Sequence, residues 1–443
     1  MEQRFEEAAR KLGQAVTYPT ISNHDINCMD LSVFADFLAF LKESYPLVHQ
    51  KMDPVLINGY SPVFCLKGTD ADKLPVIFLA HYDVVPALEE GWPHGGPFSG
   101  AISDGRIWGR GSLDNKSSII GLLETFEWLL EEGFVPRRDL WLAFGFDEEV
   151  NGRNGAQEIV KWFADKNIRF EFVLDEGGAV ADGSMMGIGE TIAVIGLAEK
   201  ANASFEFTFT GEEGHSSTPP AHTSLGRMAE FINKVERSPM PVRMTETVEA
   251  MLVSLAPYMP GIQGKVLKNP RLFFPLLKKT LLKKKQTAAM LRTTVAFTMS
   301  QSGSAPNVLP KEARCTANLR ILQGDSVAGV LAHIKRVSGM DYEVRPIASE
   351  EPSRVASTRS KAYGHLGQTI EKFFPGAVTM PYLMAGGTDS RYYEDLADDV
   401  YRFQPVRLSE LEMGIIHGTG EYLSTDNVER MIRFYREFIL TLD

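Results

Sequence analysis

Val76-Ile77-Phe78-Leu79-Ala80-His81-Tyr82-Asp83-Val84-Val85-Pro86 decides the fold. Its first five residues are apolar, branched and unbroken, the pattern of a strand covered on both faces. Open α/β sheets place their ligands at the carboxyl ends of such strands, where His81 and Asp83 would stand. With one residue between them, the two side chains lean the same way on extended backbone. Asp83 can then hydrogen-bond one imidazole nitrogen while the other takes a metal. Taken alone, the pair reads equally well as a satisfied strand-end histidine beside a turn aspartate.

Working outward, Val63–Leu66 reads as a strand before this one, and helical apolar spacing covers Phe5–Val16 and Leu31–Glu43. Trp92–Ser103 is a loop rich in Gly and Pro. Gly109-Arg110-Gly111-Ser112-Leu113-Asp114-Asn115-Lys116 is a glycine-punctuated turn, and it enters a helix that runs from about Ser117 to Gly133. The buried-strand pattern of Leu140–Phe146 ends directly in Asp147-Glu148-Glu149. After a helix over Gly155–Asp165, the strand pattern of Phe170–Leu174 ends in Asp175-Glu176-Gly177-Gly178. The order strand, helix, strand, helix, strand predicts right-handed crossovers in a mostly parallel sheet. Three strands would then deliver an imidazole and carboxylates to one end of it.

After about Leu197 the period changes. Phe205-Glu206-Phe207-Thr208-Phe209-Thr210 alternates as a half-exposed antiparallel strand does. This begins an inserted α+β lid or dimerisation domain, with a helix over Ser224–Val235 and strands near Thr293–Met299, Ala313–Leu322 and Tyr342–Pro346. Leu276–Lys285 carries leucine pairs and lysines at helical spacing, read as a solvated lysine face over a leucine stripe packed on its own domain. The expectation is a mixed, mostly parallel α/β domain with helices on both faces, formed by residues 1–197 and 348–443, and an insertion over 198–347 with an antiparallel sheet.

The length of 443 residues also calls for more than one core. A net charge of −11 excludes the electrostatics of nucleic-acid binding. No apolar run suffices for a membrane span, and the acidic start, Met1-Glu2-Gln3-Arg4-Phe5-Glu6-Glu7, lacks the pattern of a secretory signal. Membrane contact is not expected. Three widely spaced cysteines, Cys28, Cys65 and Cys315, fit free thiols in a reducing compartment, and a cytoplasmic location is expected.

His81, Asp114, Glu149, Asp175 and His417 supply two imidazoles and three carboxylates, a nitrogen-and-oxygen set suited to zinc. Two ions fit this count better than one, and the turn position of Asp114 makes it the natural bridge between them. Of the adjacent Glu148 and Glu149, one can ligate while the other stays free to accept a proton from water. A non-catalytic metal scaffold would have no need of Glu148.

At these residues the chain resembles the dizinc metallopeptidase family of aminoacylase, carboxypeptidase G, succinyl-diaminopimelate desuccinylase and carboxypeptidase S. The likeness covers nearly the whole chain through ordered motifs: His-x-Asp, Gly-Arg-Gly-x-x-Asp-x-Lys, Asp-Glu-Glu, Leu174-Asp175-Glu176-Gly177-Gly178, Gly214-His215-Ser216-Ser217, Asn307-Val308-Leu309-Pro310, Gly386-Gly387-Thr388-Asp389 and His417-Gly418-x-x-Glu421. It is strongest toward the carboxypeptidase S branch, whose members handle dipeptides and N-acyl amino acids. The resemblance implies amide hydrolysis with two Zn²⁺ per subunit, for which Co²⁺ or Mn²⁺ could substitute. His81, Glu149, Asp175 and His417 become terminal ligands, Asp114 the bridge, Glu148 the general base and Asp83 the residue that orients His81. Glu176 is the alternative to Asp175. The peptide after the bridging aspartate is expected to be cis. His215 is implied as an oxyanion donor reaching a partner subunit in a homodimer. Asn307, Arg320, Gly387 and Thr388 are implied at the substrate. Gly420 stands where many members have Asn, which puts one contact behind His417 in question.

Overall fold

The computed structural model describes residues 2–384 and 386–442. Its frame is a ten-stranded mixed sheet in the order Val55–Ile57, Ser61–Leu66, Leu140–Gly145, Val76–His81, Phe170–Asp175, Ala397–Arg402, Thr191–Glu199, Val180–Asp182 and Arg407–Leu408. Val378–Met384 pairs with Thr191–Glu199 off this path. Val76–His81 lies between Leu140–Gly145 and Phe170–Asp175, parallel to both, so all three finish at one edge of the sheet, the last of them two residues before the level of His81.

Why this strand is central follows from its alternation. Val76, Phe78 and Ala80 enter one core, while Ile77 and Leu79 enter another on the opposite face. The first core is closed by the helices Glu2–Val16, Lys116–Glu131 and Thr425–Leu440, with Phe78 meeting Phe126, Tyr435 and Phe438 edge to face. The second is closed by Ala156–Asp165, whose Ile159 and Phe163 pack among Trp141, Ala143 and Val173. A strand apolar on both sides has no solvent face, as its unbroken hydrophobic run requires.

A four-stranded antiparallel sheet, in the order Thr294–Ser302, Glu312–Ile321, Ala201–Thr210 and Glu343–Ser349, is drawn from residues 201–349. Ala201–Thr210 alternates buried and half-exposed residues. Its phenylalanines pack under the helices Ser224–Arg237 and Val327–Ser338. The last strand continues to Ser349, past the expected start of the return segment at Ile347, because its pairing with Ala201–Thr210 resumes after an irregularity at Ser204/Phe205. Glu246–Leu255 crosses the strand Val378–Met384, and Leu277, Leu281 and Leu282 join it in a core with Val378, Met380 and Leu383. That core joins Glu246–Leu255 and Leu291 of the same segment to the edge of the ten-stranded sheet.

Candidate metal centre

Because the three strands run parallel and finish at the same edge of the sheet, the turns that follow them converge. His81 closes the middle strand, opposite Gly145. Asp83, two residues on and fully buried, lies with Oδ1 3.2 Å from His81 Nδ1. The same carboxylate accepts the backbone N–H of Glu148 at 3.0 Å and of Glu149 at 3.1 Å. Asp83 thus fixes both the imidazole and the start of the acidic turn. Asp147 takes no part in the cluster, since it accepts the N–H groups of Asn154 at 2.7 Å and Gly155 at 2.8 Å.

Asp114 stands at the centre. Its Oδ1 lies 3.1 Å from His81 Nε2 and its Oδ2 lies 3.0 Å from His417 Nε2. The Asp114-Asn115 peptide is cis. Around His81, Glu176 Oε1 stands at 3.2 Å and Glu148 Oε2 at 4.0 Å. Around His417, Glu149 Oε1 stands at 3.1 Å. Two donor sets result, His81/Asp114/Glu176 and His417/Asp114/Glu149, and they share the aspartate. Nitrogen and carboxylate oxygen without thiolate is a donor set for zinc or a similar divalent cation. The ligand atoms of His81, Asp114 and Glu149, and separately those of His81, Glu148 and Glu176, lie within 4.8 Å of one another.

Asp175 and Glu176, the two alternatives at this strand end, face different partners. Neighbouring residues at a strand end point to opposite sides, and here Glu176 takes the cluster side. Asp175 turns away to accept the N–H of Ser390 at 3.0 Å, and so braces the Gly-Gly-Thr-Asp turn.

The electrostatics match a site short of positive charge. Burial opposes a charged His81, but Glu176, Asp114 and Asp83 outweigh it and hold the pKa well above the usual value. Hydrogen bonds to Asp114 and Glu149 raise His417 to about 10. Burial pushes Glu176 to about 8 and Glu148 well above the carboxylate range. Asp114 goes the other way: burial opposes its ionisation, yet its bonds to His417 and His81 prevail and lower its pKa.

Glu421 has a part in this site that the sequence reading did not assign. Its Oε1 accepts the N–H groups of Gly111 at 2.9 Å, Leu113 at 3.0 Å and Asp114 at 3.2 Å, while Arg110 pairs with Oε2 and donates to His417 O at 2.9 Å. One carboxylate thereby ties the turn of Asp114 to the segment of His417. An acidic residue four positions after a ligand histidine was the available signal. Gly420 has φ +83°, a left-handed backbone that glycine adopts freely and asparagine tolerates, which accounts for glycine at that position.

The residues implied at the substrate are spread differently. Thr388 donates to Glu199 Oε1 at 2.9 Å, and a side chain at Gly387 would collide with the Arg391 guanidinium. Arg391, overlooked in the sequence, lies within electrostatic reach of both Glu148 and Arg320 and pairs with Glu350 at 3.3 Å. Arg320 is half-buried on the antiparallel sheet. Asn307 is exposed, with its carbonyl accepting from Ser216. His215 is exposed and its imidazole bonds Ser217, with no contact to the cluster in this chain.

The model of peptidase family M20/M25/M40 matches residues 77–441. The chain belongs to that family. A relative named probable carboxypeptidase S-like 2, from Dictyostelium discoideum, is 36% identical over 98% of this chain and 84% of its own length. The N-fatty-acyl-amino acid synthase/hydrolase PM20D1 of Xenopus tropicalis is 34% identical over 100% of this chain and 87% of its own. The crystal structure of the M20 metallo-carboxypeptidase Sso-CP2 from Sulfolobus solfataricus superposes with a TM-score of 0.72 at 18% identity, covering 98% of both chains. This M20 chain is accordingly an amide- or peptide-bond hydrolase.

Because the carboxylates around them raise the pKa of His81 and His417, a cation competes with protons for both imidazoles, and its affinity rises with pH. Each displaced proton is worth about tenfold per pH unit, so Zn²⁺ competition against a chromophoric chelator should show binding at pH 8 at least about 100-fold tighter than at pH 6.

Proposed function

We propose that this peptidase uses two zinc ions to hydrolyse the amide bond of N-acyl amino acids or small peptides that carry a free α-carboxylate. The observation that carries the reading is Asp114, whose two oxygens face two imidazoles with a carboxylate completing each set. His81, Asp114 and Glu176 would hold one ion and His417, Asp114 and Glu149 the other. When bound, the pair supplies Lewis acidity toward water and the substrate carbonyl.

The remaining work belongs to side chains of the chain. Asp83 holds the His81 ring in one orientation. Glu148 is the carboxylate of the acidic turn that stands beside the two sets, 4.0 Å from His81 Nε2, without being counted in either. It takes a proton from the attacking water as the new C–O bond forms and gives it to the departing amine as the C–N bond breaks. Its burial supports this role, because a carboxyl pushed upward holds a proton better than an exposed one. Arg320 would hold the substrate carboxylate through a two-toothed pair of hydrogen bonds, with Asn307 and the Gly387-Thr388 turn beside it.

The reading includes a homodimer through residues 198–347, in which His215 of one subunit reaches the site of the other. Its exposure and its lack of any contact with the cluster in its own chain support this, and a monomer at assay concentration would count against it. The division into 1–197, 198–347 and 348–443 is part of the same proposal. So is a cytoplasmic location, supported by three free cysteines. No helix among the described residues is long and apolar enough to cross a membrane.

Glu148→Gln should lower kcat at least about a hundredfold while two metal equivalents remain by elemental analysis. A metallated and active variant removes Glu148 from its role. The carboxylate clamp has a separate test in the cleavage of an N-acyl amino acid against its carboxamide. Arg320→Ala should erase discrimination on the order of 2 to 3 kcal/mol in kcat/KM, and equal cleavage of the two substrates by the parent protein would refute the clamp.

A further inference from the structure

The helix Phe274–Leu281 has two apolar faces, and the fold uses one. Phe274, Leu277 and Leu281 point inward to the core over Val378–Met384. On the opposite side, Leu276 is 61% exposed, and Leu272, one turn earlier in the approach to the helix, is 73% exposed. Leu276 and Lys279 share one face of the helix by their spacing, and Leu272 and Lys283, in the turns before and after it, are also exposed. Ile262, at the start of the preceding helix Gly261–Leu267, is 77% exposed.

The charge around these side chains is one-sided. Between Tyr258 and Lys285 the chain has seven lysines and one arginine and no acidic residue, within a protein of net charge −11. Arg271 is paired with Glu249, but among the described residues Lys278, Lys279, Lys283, Lys284 and Lys285 form no ion pair. A lysine face alone is ordinary solvated surface. Exposed leucines set within it are a different matter, since each leaves apolar area in water where a polar residue would serve the fold as well.

We propose that the segment 258–285 is a docking surface for an anionic phospholipid bilayer. Leu272 and Leu276 enter the boundary between headgroups and acyl chains, and Lys279 and Lys283, with the lysines that follow, meet the lipid phosphates. The leucines decide between a bilayer and a hydrated polyanion, because only the bilayer offers them an apolar phase. The inward stripe holds the helix on the sheet while the outward stripe meets the lipid, so docking requires no rearrangement of the fold.

Co-sedimentation of the whole protein with vesicles tests this. Vesicles of phosphatidylcholine with about a third phosphatidylserine should bind it, vesicles of phosphatidylcholine alone should bind at least tenfold more weakly, and raising the salt should release it as screening shortens. Leu272→Glu with Leu276→Glu, and separately Lys279→Glu with Lys283→Glu, should each weaken binding at least tenfold with the thermal midpoint unchanged. Leu272→Ser with Leu276→Ser repeats the apolar test without adding charge and should weaken binding at least threefold. The proposal is overturned if the parent protein does not bind anionic vesicles, or if it binds neutral ones equally. It is overturned equally if the leucine variants bind as the parent does, or if sedimentation shows that they dissolve a dimer, which would make the face a contact between copies of the chain.

Discussion

Asp114 presents one carboxylate oxygen to each of two histidines, and the rest of the architecture is arranged to keep it there. The two imidazoles come from opposite ends of the chain: His81 from the middle strand, His417 from a segment near the carboxyl terminus. No local structure could bring them together. The parallel sheet fixes the first, and Glu421 with Arg110 fixes the second, by gripping the backbone around Asp114 and the carbonyl of His417 in one hydrogen-bonded unit. Buried carboxylates beside so few cations are costly for a folded chain by themselves. The upward displacement of Glu148, Glu149 and Glu176 expresses that cost, and two divalent cations are the natural compensation.

A second buried network joins the two sheets. Glu199, at the last residue of a strand in the large sheet, accepts from Arg402 and Thr388, while Gln323 donates to its backbone carbonyl and Ser353 bonds both its N–H and its carbonyl. Gln323 and Ser353 at the backbone of Glu199, and Thr388 and Arg402 at its carboxylate, therefore meet at one residue. Displacement of the antiparallel sheet would be felt at that turn, and through Arg391 near Glu148. The geometry of the substrate side is in this way coupled to that of the cation side.

Much of this was legible in the sequence because it rests on local patterns. The unbroken run Val76–Ala80, the acidic ends of the next two strands and the glycine turn before Asp114 all specify short-range geometry, and parallel pairing does the rest. The choice between Asp175 and Glu176 was not legible. It depends on which way the strand end turns, and that is decided by Ser390, more than two hundred residues away, drawing in Asp175. Glu421 and Arg391 were harder to assign for a related reason: each acts through contacts with distant backbone or side chains, so the spacing of Glu421 from His417 marked the residue without showing its partners, and Arg391 had no such mark. The leucines of 276–285 showed their helix but not their seat, because the core that takes three of the four joins Glu246–Leu255 to Val378–Met384, late in the chain.

Anomalous diffraction from crystals of the zinc-loaded protein tests the central claim most directly. The account predicts two zinc peaks roughly 3.5 to 4 Å apart. One would be bound by His81, Asp114 and Glu176, the other by His417, Asp114 and Glu149. Asp175 would remain on Ser390, and Glu148 would bind neither ion. A single peak, or two peaks with Asp114 bound to only one of them, would contradict it.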